Sequence, residues 1–135
     1  MRCLIDANIL LDVLANREPF VTDSSKIWKL CETGQIEGFV SSLTFADLVY
    51  VLRKELDPEK IEATLNSLKL IFAFAELNEA DLTNAAALKW KDYEDALQSV
   101  TASRIKADYI ITRNVRDYKK SLVIAFTPTE LLSRI

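Results

Sequence analysis

Acidic side chains stand where apolar segments of this chain give way to helical patterns. Asp6 follows the first apolar run, Arg2–Ile5, and directly precedes the first helical pattern. Later junctions carry or adjoin further oxygen donors: Asp47, Asp92, Asp95, Asn114 and Asp117. An acid at the carboxyl end of a strand is how an open α/β sheet places a ligand group. Oxygen donors at several junctions therefore predict a divalent-metal site suited to Mg²⁺ or Mn²⁺.

Each of these residues also has an ordinary structural explanation. Asp6 and Asp92 could cap helices, and Asp95 could be a first-turn acid favoured by the helix dipole. Asp47 is harder to explain in this way, because it lies within a helical pattern where aspartate is a poor helix former. Turn formation could account for the remaining two: Asn114 and Asp117.

Convergence favours the metal hypothesis over separate caps and turns. The acids recur next to the first, second and fourth predicted strands, which would lie side by side at the centre of a doubly wound sheet. Carboxylates that converge repel one another and are costly to bury unless a cation neutralises them. One or two such ions would turn bound water into a nucleophile near neutral pH.

The composition excludes several other chemistries. The chain has no histidine and a formal net charge of -3. Without histidine it lacks the commonest general base and the commonest zinc ligand, so a histidine-based triad and a Cys/His zinc site are both excluded. A general nucleic-acid coat protein would be basic. An acidic enzyme can still act on a phosphodiester, because bound cations reverse the local sign of the charge.

Strand-like and helical patterns alternate along the chain. Five apolar segments predict strands: Arg2–Ile5, Ile36–Val40, Leu70–Glu76, Tyr109–Thr112 and Leu122–Phe126. Helical spacing and capping residues predict the helices: Ala7–Ala15, Thr22–Glu32, Ser42 to about Glu55, Pro58 to about Lys69, Glu79–Trp90, Asp92 to about Lys106, and a short helix after Thr127. Strands joined through helices imply parallel pairing. We predict one domain (residues 1–135), a three-layer α/β/α sandwich with a central, mostly parallel five-stranded sheet.

Cysteine use and hydropathy bear on the compartment. Cys3 and Cys31 are the only cysteines, and both lie in apolar patterns that favour buried, reduced thiols. The longest apolar stretch, Leu70–Ala75, is far shorter than the roughly 20 residues that a membrane helix needs. No secretory signal pattern is present at the N-terminus. We therefore expect a cytoplasmic protein without membrane association.

Five segments resemble a known family when taken in order. They are Leu4–Asn8, Ser42–Asp47, Asp92–Gln98, Ile111–Asn114 and Asp117–Tyr118. Together they resemble the PIN-domain ribonucleases and, within them, the VapC-like toxins of type II toxin–antitoxin systems. The resemblance covers essentially the whole chain. It implies a Mg²⁺- or Mn²⁺-dependent endoribonuclease that hydrolyses RNA, forms a homodimer and has a cognate antitoxin.

The same resemblance implies roles for individual residues. The core metal ligands, which would also be the catalytic residues, are Asp6, Asp47 and Asp95. Further ligands or supporting residues at the metal site are Asp92, Asn114 and Asp117. Thr112 would hydrogen-bond a ligand or water, and Arg113 and Arg116 would hold the substrate. The chain departs from the family at two positions: Asp47 stands where glutamate is usual, and Asn114 where many relatives carry a fourth acid.

Three other functions remain open on the sequence. A catalytically degenerate PIN module would bind RNA or protein without cutting, and the amide at Asn114 is the feature that favours it. A phosphoryl-transfer domain of the haloacid-dehalogenase type would need an aspartate where Asn8 stands. A receiver-like phosphoacceptor would need an acid after the third strand, where only Glu76 is available.

Overall fold

The computed structural model describes the whole chain, residues 1–135. Its strands are β1 (Arg2–Ile5), β2 (Glu37–Ser41), β3 (Ala73–Ala75), β4 (Tyr109–Ile111) and β5 (Ile124–Phe126). Its α-helices are α1 (Ala7–Leu14), α2 (Val21–Glu32), α3 (Ser42–Leu52), α4 (Pro58–Ile71), α5 (Glu79–Leu88), α6 (Tyr93–Arg104) and α7 (Pro128–Leu132). A short 3₁₀ helix, Val115–Tyr118, lies between β4 and β5.

The five strands form one sheet in the order β3-β2-β1-β4-β5, and every pair is parallel. Alternate residues of β1 face opposite sides, as strand geometry requires. Cys3 and Ile5 pack with α1, α2, α3, α4 and α7, whereas Leu4 and Ile110 pack with Ala102 of α6. The predicted α/β/α sandwich is confirmed, and its sheet is wholly parallel.

The order of the strands decides where the site lies. β1 is central, with β2 and β4 on either side of it. The residues that follow these three strands therefore meet at one edge of the sheet, the carboxyl edge, where open α/β folds bind ligands. The receiver-like order 2-1-3-4-5 differs from the order observed here, which removes the structural basis of that alternative.

Several predicted boundaries differ from the structure, and two of the differences have a clear physical reason. Helix α4 continues through Ile71, because Leu68 and Phe72 are both buried at helical spacing and the Phe72 N–H donates to the Leu68 carbonyl at 2.8 Å. Leu70, which we placed in a strand, is 89% exposed on that helix. Helix α5 ends at Leu88 and not at Trp90, because Lys89 adopts a left-handed conformation with φ of 57°.

The remaining global expectations can be compared directly. Cys3 and Cys31 are buried free thiols, and burial raises the pKa of each to about 12, so both stay protonated. None of the helices combines the length and the apolar character that crossing a membrane requires.

Candidate functional site

Asp6 lies at the carboxyl end of the central strand and also caps helix α1. Its Oδ1 accepts a hydrogen bond from the Ala7 N–H at 2.8 Å, and its Oδ2 accepts one from the Thr112 hydroxyl at 2.8 Å. Burial raises the pKa of the Asp6 carboxyl, although both hydrogen bonds act in the opposite direction. Asp6 therefore caps α1 and also lies at the end of the central strand. Burial makes its charge at this position costly in free energy.

A network of neutral polar side chains surrounds Asp6. Asn8 Nδ2 donates to Asp6 Oδ2 at 3.4 Å and to Thr112 Oγ1 at 3.3 Å. Gln98 of α6 is buried, donates to Thr44 Oγ1 at 3.3 Å, and favours the ionised form of Asp6. The network joins the segments that follow β1, β2 and β4 to α6. Neither Thr44 nor Gln98 was among the predicted site residues; the available signal was a polar residue on the apolar face of a helix.

Asp47 and Glu94 reach the same region from helices α3 and α6. Asp47 is half-buried, burial raises the pKa of its carboxyl, and no protein donor bonds to it. The pKa of Glu94 is raised by burial and then by the charges of Asp47, Asp92 and Asp6. Glu94 was not among the predicted site residues, although it belongs to the acidic run that opens α6. Because the charges of Asp47 and Asp6 act on Glu94, acids of α3, of α6 and at the end of β1 belong to one electrostatic cluster.

The ionisation of Asp95 is perturbed by its burial and by neighbouring acids. Burial, followed by the charges of Asp92, Asp117 and Asp6, raises the pKa of Asp95 to about 6. The hydroxyl of buried Tyr118 donates to Asp95 Oδ1 at 3.4 Å and partly opposes that rise. Asp92 caps α6, since its Oδ1 accepts from the Asp95 N–H at 3.1 Å. The capping explanation for Asp92 is correct, and its charge still acts on the site.

The loop after β4, residues 112–117, supplies the other side of the cluster. Thr112 is fully buried, and its hydroxyl oxygen accepts from the Asn114 N–H at 3.1 Å. Asn114 is exposed and occupies the position before the 3₁₀ helix, without a side-chain hydrogen bond to it; that helix contains Asp117 and Arg116, which are also exposed. Asp117 interacts electrostatically with both Asp6 and Asp95. The 112–117 loop therefore places donor oxygens near Asp6, at the end of β1, and Asp95 of α6.

Arg113 is held in an ion pair, with 25% of its side chain exposed, and does not line the open groove beside the acids. Its Nε donates to Asp12 Oδ2 at 3.0 Å, and its guanidinium lies 4.0 Å from the centre of the Phe20 ring. Asp12 is completely buried. Moving Arg113 onto a substrate would leave that acid unpaired, which typically costs about 3–5 kcal/mol. Of the two arginines predicted to hold substrate, Arg116 is the one left free to do so.

An open groove of about 950 Å³ runs beside the acids. Asp92, Glu94, Asp95 and Asp117 line its acidic side. Its basic rim consists of Lys89, Lys91, Arg116, Lys119 and Lys120. A cation at the acids and a phosphate backbone along the rim would satisfy both sets of charges at once.

The donor set fits a hard divalent cation. No group of three acids is already arranged to hold an ion. Burial nevertheless raises the pKa values of Asp6, Asp47 and Asp95, and neighbouring acids add to the rise for Asp6 and Asp95. The donors are oxygens, with no histidine in the chain. Such ligands suit Mg²⁺ or Mn²⁺, which would offset their mutual repulsion.

The metal-free protein should lose stability as the pH rises. In the folded state the pKa of Asp95 is about 6, against an ordinary value of 3.8. A carboxyl whose pKa is raised by folding contributes stability below its ordinary pKa, and that contribution is lost as the pH passes through the raised value. We expect the unfolding midpoint of metal-free protein to fall between about pH 4 and pH 7. Asp95→Asn should reduce the fall, and an equal slope in that variant would contradict this origin.

These features define an open, parallel α/β protein with convergent acids at the carboxyl edge of its sheet. Residues 2–116 match the family model of the PIN domain. The chain belongs to the PIN-domain family. No curated protein matched the sequence significantly.

Solved structures agree with this fold assignment. A toxin–antitoxin complex from Klebsiella pneumoniae is similar with a TM-score of 0.73 and 21% identity, covering 93% of this chain and 97% of that one. VapBC2 from Rickettsia felis, bound to a promoter DNA fragment, gives a TM-score of 0.71 and 15% identity over 94% and 98% of the two chains. FitAcB from Neisseria gonorrhoeae gives 0.72 and 17% over 94% and 98%. At sequence identities this low, the structural similarity supports the fold alone.

Proposed function

We propose that this PIN-domain protein is a metal-dependent endoribonuclease that hydrolyses RNA phosphodiester bonds. The observation that carries the proposal is the convergence of Asp6, Asp95 and Asp117 at the carboxyl edge, where the charge of Asp117 adds to the burial that raises the pKa values of Asp6 and Asp95, and the charge of Asp6 further raises the pKa of Asp95. Repelling acids beside a basic rim are the charge pattern expected for a site that takes a cation and a phosphate together. Membership of the PIN-domain family supports the same reading.

The metal would be held by carboxylates from three elements. Asp6, Asp47 and Asp95 would be the principal ligands and catalytic residues, assisted by Asn114 and Asp117. Asp92 would act mainly through its charge, because its side chain caps α6. A bound Mg²⁺ or Mn²⁺ supplies an activated water and stabilises the leaving oxygen.

The chain's own residues would orient the ligands and the substrate. The Thr112 hydroxyl fixes one oxygen of Asp6, and the Tyr118 hydroxyl fixes one of Asp95. Hydrogen bonds of this kind set the direction in which a carboxylate presents its remaining lone pairs. Arg116 and Lys119 on the rim would hold phosphates on either side of the bond to be cut.

Cleavage of RNA by purified protein tests the proposal directly. RNA should be cut with Mg²⁺ or Mn²⁺ present and remain intact with excess EDTA. RNA binding without cleavage in either metal would refute the nuclease proposal and support a degenerate binding module. That alternative has one specific observation in its favour, the amide of Asn114 in place of a fourth acid.

Neutralising the rim should weaken RNA binding without removing the acids. We expect Arg116→Gln with Lys119→Gln to weaken binding and to lower the slope of log affinity against log salt by about 1.4, since each contact to single-stranded RNA adds about 0.7. Filter binding at several salt concentrations with metal omitted would measure this. Lys29→Gln with Lys69→Gln makes the same charge change near the starts of β2 and β3, at the opposite sheet edge. An equal loss in that control would contradict a specific rim.

We further propose a cognate antitoxin as the protein partner of this chain. The similar solved structures include toxin–antitoxin complexes. An exposed, mainly apolar groove of about 590 Å³ between α3 and α4 is lined by Phe45, Val49, Ile61, Leu65 and Phe74. An apolar helix face would fit such a groove. Co-expression with the product of a neighbouring gene should give a complex with reduced nuclease activity.

We also propose a homodimer, which sedimentation of the isolated chain would test.

A further inference from the structure

We propose that Asp12 is a positioning residue, which acts through Arg113 to fix the 112–117 loop against the start of α1. The inference rests on the proposed nuclease function for its consequence, but its geometry stands without it. Asp12 makes no contact with the acidic cluster described above. Its effect would pass through the one cation that it binds.

Asp12 is buried in a way that makes it depend on Arg113. Its side chain is completely buried, and Oδ2 accepts from Arg113 Nε at 3.0 Å and from the Ser24 hydroxyl at 2.9 Å. Its Oδ1 has no hydrogen-bond partner. The ring of Phe20 covers the guanidinium at 4.0 Å. Because a buried acid requires a compensating charge, the burial of Asp12 favours this position of Arg113 over one that would leave the acid unpaired.

Helix α1 binds Arg113 at two points. Asn8 and Asp12 are four residues apart, so both project from one face of the helix. The Asn8 Oδ1 accepts from the backbone N–H of Arg113 at 3.1 Å, while Asp12 holds the guanidinium. Backbone and side chain of the same residue are thereby fixed to consecutive turns of α1. The loop can neither slide along α1 nor rotate about it without breaking one of these bonds.

Only a few bonds separate this attachment from the proposed metal ligands. Asn8 also donates to Asp6 Oδ2 and to Thr112 Oγ1. The three residues after Arg113 are Asn114, Val115 and Arg116, and Asp117 follows them directly. Fixing Arg113 therefore sets the distance between Asp6 on β1 and the donors carried by the 112–117 loop.

A second buried ion pair provides the comparison. Arg104 Nε donates to Asp81 Oδ1 at 2.9 Å, and the Asp81 side chain is 1% exposed. This pair joins α5 to α6, and neither residue takes part in the hydrogen-bond network around Asp6. A buried ion pair contributes little to stability compared with apolar packing. The two pairs thus resemble each other in the burial of the acid and in the distance from arginine Nε to the carboxylate, and they differ in their connection to the site.

Asp12→Asn keeps the shape of the side chain and removes its charge, and Asp81→Asn does the same at the comparison pair. We expect Asp12→Asn to lower kcat and to weaken Mn²⁺ affinity, each by about 10- to 100-fold, the usual effect of losing a residue that orients a ligand. The KM for RNA should change little, because the basic rim is intact. Asp81→Asn should lower the melting temperature about as much as Asp12→Asn does, but should leave kcat and Mn²⁺ affinity unchanged.

Hydrogen exchange separates this inference from the proposed function. The amides of residues 112–117 should exchange faster in Asp12→Asn than in Asp81→Asn, whether or not the protein cuts RNA. Arg113→Gln should reproduce the effect, and the double variant should be no worse than either single one, since both break one interaction. Unchanged exchange in this loop, or equal loosening in Asp81→Asn, would overturn the positioning role. If the loop exchanges faster in Asp12→Asn but the wild-type protein does not cut RNA, the positioning role would be supported and only the nuclease proposal would be refuted.

Discussion

Asp6→Asn should lower metal-dependent RNA cleavage by more than about 100-fold. Residues that merely orient a metal ligand typically contribute 10- to 100-fold, so a direct ligand should contribute more. Asp6 occupies the centre of the cluster, bonded to Thr112 and coupled to Asp95 and Asp117. Initial rates on a defined RNA in Mn²⁺, for wild type and variant at matched concentration, would measure the effect.

The same substitution should have the opposite effect on the metal-free fold. Asparagine is as good a helix cap as aspartate. It carries no charge, so the burial that raises the pKa of Asp6 no longer costs free energy. We expect metal-free Asp6→Asn to melt at or above the wild-type temperature.

Asp57→Asn is the matched control for Asp6→Asn. Asp57 caps α4 by accepting from the Lys60 N–H at 2.9 Å, and it is exposed. Its variant makes the same chemical change at a helix start and should keep full activity. Wild-type cleavage rates in Asp6→Asn would contradict the role of Asp6 as a ligand, and a comparable loss in Asp57→Asn would indicate a general effect on the fold.

Saturating Mn²⁺ should raise the melting temperature by on the order of 10 °C. A ligand that binds only the folded state adds about 2.7 kcal/mol at 100 times its dissociation constant. For a domain of this size each kcal/mol shifts the midpoint by roughly 3–5 °C. The physical source is relief of the cost of burying acids that also repel one another, since burial and then the charges of neighbouring acids raise the pKa of Asp95 to about 6 in the metal-free fold.

The variants distinguish a specific site from general ion binding. Asp6→Asn and Asp95→Asn should each lose most of the rise, whereas Asp57→Asn should retain it. EDTA should return the wild-type midpoint to its metal-free value. A melting curve that Mn²⁺ leaves unchanged would mean that the acids act as separate caps and turn residues. Scanning calorimetry at fixed pH would measure all of these midpoints.

The architecture was predictable because the chain's local preferences agree with its global fold. Alternating apolar runs and helical patterns imply parallel strands joined by helices. The predicted bounds of β1, Arg2–Ile5, are those observed. One error arose where a single apolar run belonged to two different elements. Leu70–Glu76 combined the end of α4 with a three-residue edge strand, and an apolar run alone does not separate a strand from a helix end.

The amino-acid sequence by itself determined which chemistry is available. It supplies carboxylates at strand ends and no histidine, so oxygen ligation was the prediction before any contact was known. It also determined the alternation of strands and helices along the chain, which implies parallel strands with their carboxyl ends at one edge of the sheet. Both follow from residue type and periodicity, which are local properties of a chain.

Only the tertiary structure decided which polar groups meet. Arg113 pairs with Asp12 across 101 positions, and Gln98 bonds to Thr44 across 54. Periodicity indicates which face of an element is buried, but not which distant residue lies opposite that face. The partner of a buried polar group is fixed by the packing of whole elements, and a buried charge accepts only a compensating one. The sequence therefore suggested Arg113 as a substrate contact, whereas the fold pairs it with Asp12 inside the protein.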